Sequence, residues 1–186
     1  MTGGSRFVVW RGLDGWRAEA CELELGDGRL SARGTQIGCD PDAYKLEYQL
    51  ETVDGWVTRS LVVEVWDGGV PRTLDLSRAD DGSWTANGEP LPDVDGALDC
   101  DLGLCPLTNT MPVLRHRLLE PGAEPHDFVM AWVAVPELSV HRSEQRYEPI
   151  DGGTVRYVGK HRDFVGELTF DRDGLVIRYP QLAERV

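Results

Sequence analysis

From Tyr44 to Val53 the chain alternates without a break: Tyr44, Leu46, Tyr48 and Leu50 fall on one side, Lys45, Glu47, Gln49 and Glu51 on the other. Successive side chains of a strand point to opposite faces, so this run is a strand with one apolar and one wet face. CELEL, residues 21–25, repeats the pattern, and the GDGR turn from Gly26 to Arg29 leads it into RLSARGTQI as an antiparallel hairpin. VDGW (53–56) joins the tyrosine strand to SLVVEVW, WDGG (66–69) leads into TLDLS, and ADDG (79–82) into SWTA. Later strands are read in VLRHRLL (113–119), FVMAWVAV, LSVHRSEQRYEPI, TVRYVG, GELTF and LVIRYP, the last two split by the DRDG turn of Asp171 to Gly174.

That makes about a dozen strands punctuated by glycine and proline turns. No segment carries a long 3.6-residue apolar period and none alternates strand with helix, which disfavours parallel nucleotide-binding folds. A helical turn fits residues 103–111. A flat sheet this wide would expose its apolar face and its edges, so the sheet must curl. The expected fold is mainly β: one domain over residues 1–186, a curved antiparallel sheet forming a barrel or half barrel, with few short helices. FVMAWVAV is apolar on both faces and must be covered on both. LDLSRADDGSW and LTFDRDGLV are each strand, acidic glycine turn, strand, a pattern compatible with duplication.

With 32 acidic against 19 basic residues the formal charge is −13, which repels phosphate backbones and anionic membrane surfaces and excludes nucleic acid as a partner. No stretch has signal-peptide character or the ~18 apolar residues of a transmembrane segment, so the chain reads as cytoplasmic. Cys21, Cys39, Cys100 and Cys105 are then expected as free thiols, and the spacing of Cys100 and Cys105, without a second pair or a histidine pair, predicts no metal. GxSxG, HExxH, Walker and GxGxxG motifs are all missing, and His116, His126, His141 and His161 stand in ordinary strand or loop contexts. No cofactor is expected. Asp93, Asp95, Asp99 and Asp101 form the one carboxylate set that could divide acid and base roles in hydrolysis, although such clusters are common in so acidic a chain.

Six tryptophans are available as core residues, and tryptophan and tyrosine also present a flat apolar face with a polar handle to a sugar or lipid. Tyr44, Tyr48 and Trp56 are the ones placed in a pocket lining; alternation does not assign Trp66 to either face. The most unusual stretch is DCDLGLCPLTNTMPVLR, residues 99–115, dense in acids, prolines, cysteines and a Thr-Asn-Thr. It is either the polar rim of a pocket or a turn network that satisfies its own backbone. As strand residues, Arg115 and Arg117 would lie opposite Leu114, His116 and Leu118, facing water or, around a closed cavity, facing inward.

TNTMPVLR, the Asp99-Cys100-Asp101 pattern before it, and WVAVPEL, QRY and DRDGLVIRYP after it occur in an order that resembles the glycolipid-binding family of small bacterial proteins. The likeness runs from about Trp10 to Pro180. Where the family pattern has Thr-Pro and a second arginine, this chain has Cys105-Pro106 and Arg115-His116, with Arg117 as a partial substitute. The resemblance implies a curved antiparallel barrel and a lipid or glycolipid ligand. Physical division of labour agrees: one-faced strands can enclose acyl chains while Asp99, Asp101, Thr108, Asn109 and Arg115 hydrogen-bond a head group. The resulting expectation is non-catalytic binding of an amphipathic small molecule, a lipid or glycolipid. Its rivals are a carboxylate-dependent hydrolase of a sugar or lipid conjugate and a protein-interaction module using a sheet edge or apolar groove.

Overall fold

The computed structural model describes residues 4–160 and 163–186. Eight strands come first: β1 Gly4–Gly12, β2 Arg17–Gly26, β3 Arg29–Cys39, β4 Ala43–Val53, β5 Val57–Trp66, β6 Arg72–Arg78, β7 Trp84–Ala86 and β8 Glu89–Pro90. After β9 (Asp99–Leu102) and a short helix α1 (Thr110–Arg115) come β10 His126–Val133, β11 Val140–Asp151, β12 Thr154–Gly159, β13 Phe164–Phe170, β14 Val176–Tyr179 and β15 Ala183–Arg185. All fifteen belong to one sheet that curves without closing, a half barrel. Its order runs from β8 down to β1, crosses to β15, and continues down to β9, so two meanders meet where β1 and β15 pair, with Trp10 opposite Arg185.

The alternation read in the sequence is the alternation of burial: Tyr44, Leu46, Tyr48 and Leu50 are buried and the residues between them exposed. Met130, Ala131 and Val133 of β10 are buried on both faces, as the two-sided apolar run requires. Lys45 sits 4.7 Å over the Trp66 ring, which places that tryptophan with the outward-facing Lys45. The two acidic turns are built alike: Gly82 N–H donates to Ala79 O and Ala79 N–H to Ser83 O, as Gly174 does to Asp171 and Asp171 to Leu175. All four cysteines are free; Cys39 is exposed and the other three buried.

VLRHRLL is not a strand. Its first three residues end α1, and the chain then turns through Arg117, whose φ is 52°. Pro106 and Pro112 fix φ in the helical range and start turns easily. The backbone groups of this segment are satisfied locally: Leu118 N–H donates to Val113 O at 3.0 Å. The Arg115/Arg117 alternation therefore fails. The Arg115 side chain is 11% exposed, whereas that of Arg117 is 76% exposed beside Glu120.

The concave side holds two apolar clusters. The first joins β1–β7 to the 99–111 segment through Trp10, Leu46, Leu61, Leu76, Trp84 and Leu107. The second, around Tyr147, Tyr157, Leu168 and Tyr179, is lined on its borders by the half-buried Leu119, Phe128, Phe164 and Leu182.

Candidate functional site

Residues 99–115 form a plug that bridges the two halves. β9 pairs in parallel with β10, Asp99 opposite Met130. On its other side, Cys100 N–H donates to the Thr58 hydroxyl at 3.0 Å, and Thr58 N–H to Leu98 O at 2.9 Å. The chain reverses at Leu104 and runs through a 3-10 turn, Pro106–Asn109, into α1. Thr108 Oγ1 donates to Cys105 O and Asn109 Nδ2 to Pro106 O, each at 3.1 Å; these are the local side-chain-to-backbone bonds that such residues favour in turns.

Tertiary bonds then fix the plug on both sides. Gln145 of β11 donates to Asp101 Oδ2 at 2.6 Å, the one Thr108 hydroxyl proton is shared between Cys105 O and Asp101 Oδ1, also at 3.1 Å, and the Tyr147 hydroxyl donates to Asn109 Oδ1 at 2.8 Å. Arg115, at the end of α1, grips Asp99 with two guanidinium nitrogens, Nη1 at 3.0 Å from Oδ1 and Nη2 on Oδ2, and Nη1 also reaches Trp56 O at 3.5 Å. Arg115 Nε and Thr110 Oγ1 are buried with no hydrogen-bond partner among the described residues. Burial pushes the Asp99 carboxyl pKa up, against the pull of the Arg115 guanidinium.

A second buried cluster ties the plug to the first meander. Gly34 of β3 faces Tyr48 of β4, and a Cβ on Gly34 would lie 2.3 Å from the tyrosine ring. Only glycine lets that ring lie flat on the sheet and carry its hydroxyl to β2, where it donates to Glu19 Oε1 at 2.7 Å. Gln36 Nε2 donates to Glu19 Oε2 at 3.0 Å and the Cys105 thiol to Oε1 at 3.1 Å. Burial lifts the Glu19 pKa to about 7, although all three donors and the charge of Arg17 favour the anion.

The eight residues expected at a site fall in two groups. Asp99, Asp101, Thr108, Asn109 and Arg115 come together in the plug. Tyr44, Tyr48 and Trp56 are 7%, 3% and 8% exposed in the first meander, Tyr48 at the Glu19 cluster and Trp56 against Arg115. Of the carboxylates considered for hydrolysis, Asp93 is exposed, Asp95 accepts from Trp84 N–H, and Asp99 and Asp101 are held as described. The His116 ring lies tilted against His126, centroids 4.1 Å apart, its pKa lowered by burial, then by His126 and Arg115. His141 contacts Ser139, and His161 lies outside the described residues. Glu19 and Gln36 were not singled out in the sequence, and Gln145 and Tyr147 stood there only within the QRY motif, with no site role. A signal existed for Glu19: in RAEACELEL it shares the inward register of Cys21, Leu23 and Leu25.

Residues 7–185 match the model of a family described as "Putative glycolipid-binding". The chain belongs to that family. Its fold is shared by a DUF1089 family protein of Pseudomonas aeruginosa, known from a crystal structure at 1.80 Å, with 30% identity over 95% of each chain and a TM-score of 0.78. None of the curated proteins compared matches it. Cys105 puts a thiol donor on Glu19, and His116 puts an imidazole beside His126.

Proposed function

We propose that the protein binds an amphipathic small molecule, a lipid or glycolipid, without turning it over. One observation carries this reading: the second apolar cluster, which includes Val113 of the plug, is bordered by Leu119, Phe128, Phe164 and Leu182, and these remain only half-buried. An acyl chain would gain most where apolar side chains are still in contact with water, at about 25 cal/mol for each Å² covered. In this reading Asp99, Asp101, Thr108, Asn109 and Arg115 serve the ligand by holding the plug that separates the two clusters. Tyr48 and Trp56 form the wall behind it, with Tyr44 at the start of β4, away from the plug's bonds to Arg115 and Glu19. Family membership supports the same ligand class.

Organic extraction of the purified protein, followed by mass spectrometry, is expected to release a lipid, and long-chain amphiphiles are expected to raise the melting temperature because they bind only the native state. An extract free of lipid together with an unmoved melting temperature across the panel would end this proposal.

A further inference from the structure

We propose that the hollow at the end of the half barrel, between Trp16, Arg17 and Tyr44, takes a neutral sugar ring. It is the head-group subsite of the amphiphile proposed above, and to that extent rests on that reading. The hollow lies where β1 turns into β2 and β3 into β4, and has a volume of about 150 Å³. That is half the ~300 Å³ at the small end of drug-sized pockets, and equals about five waters at ~30 Å³ each. It is sized for one ring and not for an acyl chain. Leu104, the reversal point of the plug, forms part of its wall, and Arg17 in its lining donates to the carbonyl of Leu182, one of the half-buried residues of the proposed lipid face.

The lining has the chemistry of polyhydroxyl recognition. Trp16 is 64% exposed at the rim, a large flat apolar face left in water where the C–H face of a pyranose could stack. Asp14 and Asp40 supply acceptors for hydroxyl hydrogens. Arg17 is held in place, its side chain 10% exposed, by Leu182 O at 2.6 Å and Asp14 at 3.0 Å. A guanidinium has five N–H donors, which leaves donors for sugar oxygens. Two carboxylates beside it disfavour a phosphate or carboxylate ligand and select a neutral one.

Tyr44 is the independent sign of a missing partner. A Cβ on Gly38 would come within 2.6 Å of its ring, so glycine again lets a tyrosine lie flat, here directed at the strand that carries Arg17. Tyr44 is 93% buried by its 7% exposure and lines the hollow, yet its hydroxyl hydrogen-bonds to no described residue. A buried hydroxyl without a partner is costly, and a ligand hydroxyl in the hollow would remove that cost. Burial also pushes its pKa up to about 12, which keeps the proton on as a donor.

Nuclear magnetic resonance titrations of the full chain with methyl and octyl β-glucoside, β-galactoside and α-mannoside test this, with tetraethylene glycol octyl ether as the amphiphile without sugar, all below micelle formation. At least one methyl glycoside should move the Trp16 indole N–H resonance, and its octyl form should bind more tightly. Trp16→Ala should weaken the glycosides about tenfold, and Tyr44→Phe, which keeps the ring, about fivefold, with the ether unaffected by either. If octyl glycosides and ether bind alike and neither substitution matters, the sugar subsite is wrong while amphiphile binding stands. If glycosides bind and respond to the substitutions but the ether does not bind, the subsite stands and the lipid reading falls. If the wild type binds no member of either class, both are overturned.

Discussion

Glu19 and Asp99 are both carboxylates removed from water, at 3% and 1% exposure, and the protein accommodates them in different ways. Glu19 is surrounded by neutral donors from three parts of the chain: Tyr48 on β4, Gln36 on β3 and Cys105 in the plug. Asp99 is gripped by one cation from the same plug, Arg115. Neutral donors tolerate a proton on the carboxyl, so the Glu19 cluster can lose its charge and keep its contacts. A guanidinium cannot give up its proton, so neutralising or deleting Asp99 strands a buried cation. The first device attaches the plug to the wall and the second closes the plug on itself.

The largest effect should come from breaking the ion pair. Arg115→Met leaves Asp99 buried without its cation and is expected to cost about 3–5 kcal/mol in denaturant unfolding, with Asp99→Asn in the same chain recovering part of it. If the single variant is as stable as wild type, Asp99 is carried by something other than Arg115 and the contrast with Glu19 disappears.

A pH series sharpens the other half. The unfolded Glu19 carboxyl titrates near its ordinary 4.5 and the folded one at about 7, so between those values the folded protein holds a proton that the unfolded chain releases. Stability from this group is complete below about 4.5 and is lost as pH rises to about 7, amounting to about 3 kcal/mol. Glu19→Gln should remove that slope, and above pH 7 the variant should be the more stable protein. Equal slopes for variant and wild type in unfolding curves from pH 4 to 8 would show that Glu19 does not hold the proton.

The smallest of the three effects concerns how the Glu19 cluster is assembled. Gly34→Ala places a methyl 2.3 Å from the Tyr48 ring, which must then lift from the sheet. The expected cost is about 1–3 kcal/mol, from overpacking and from a weakened bond to Glu19. An alanine variant of unchanged stability and unchanged tyrosine spectrum would mean the ring has another place to lie.

Residue types alone determined the strands with one apolar face, their hairpin turns and the curl of the sheet, because a period of two and a glycine-acid turn are local properties. The gathering of Asp99, Asp101, Thr108, Asn109 and Arg115 into one segment was legible for the same reason. Their partners were not: Asp99 to Arg115 spans 16 residues, Asp101 to Gln145 44, and Glu19 to Cys105 86. Strand content near the plug was misread because VLRHRLL alternates well enough for a strand, yet a strand needs an edge to pair with, and only the folded half barrel decides where edges are. The short β8, β9 and β15 likewise exist through their neighbours, β15 by pairing with β1 from the other end of the chain. So the sequence by itself set which faces would be buried. The tertiary structure decided which polar groups would meet inside, since a buried carboxylate is tolerated only beside donors brought from elsewhere in the chain.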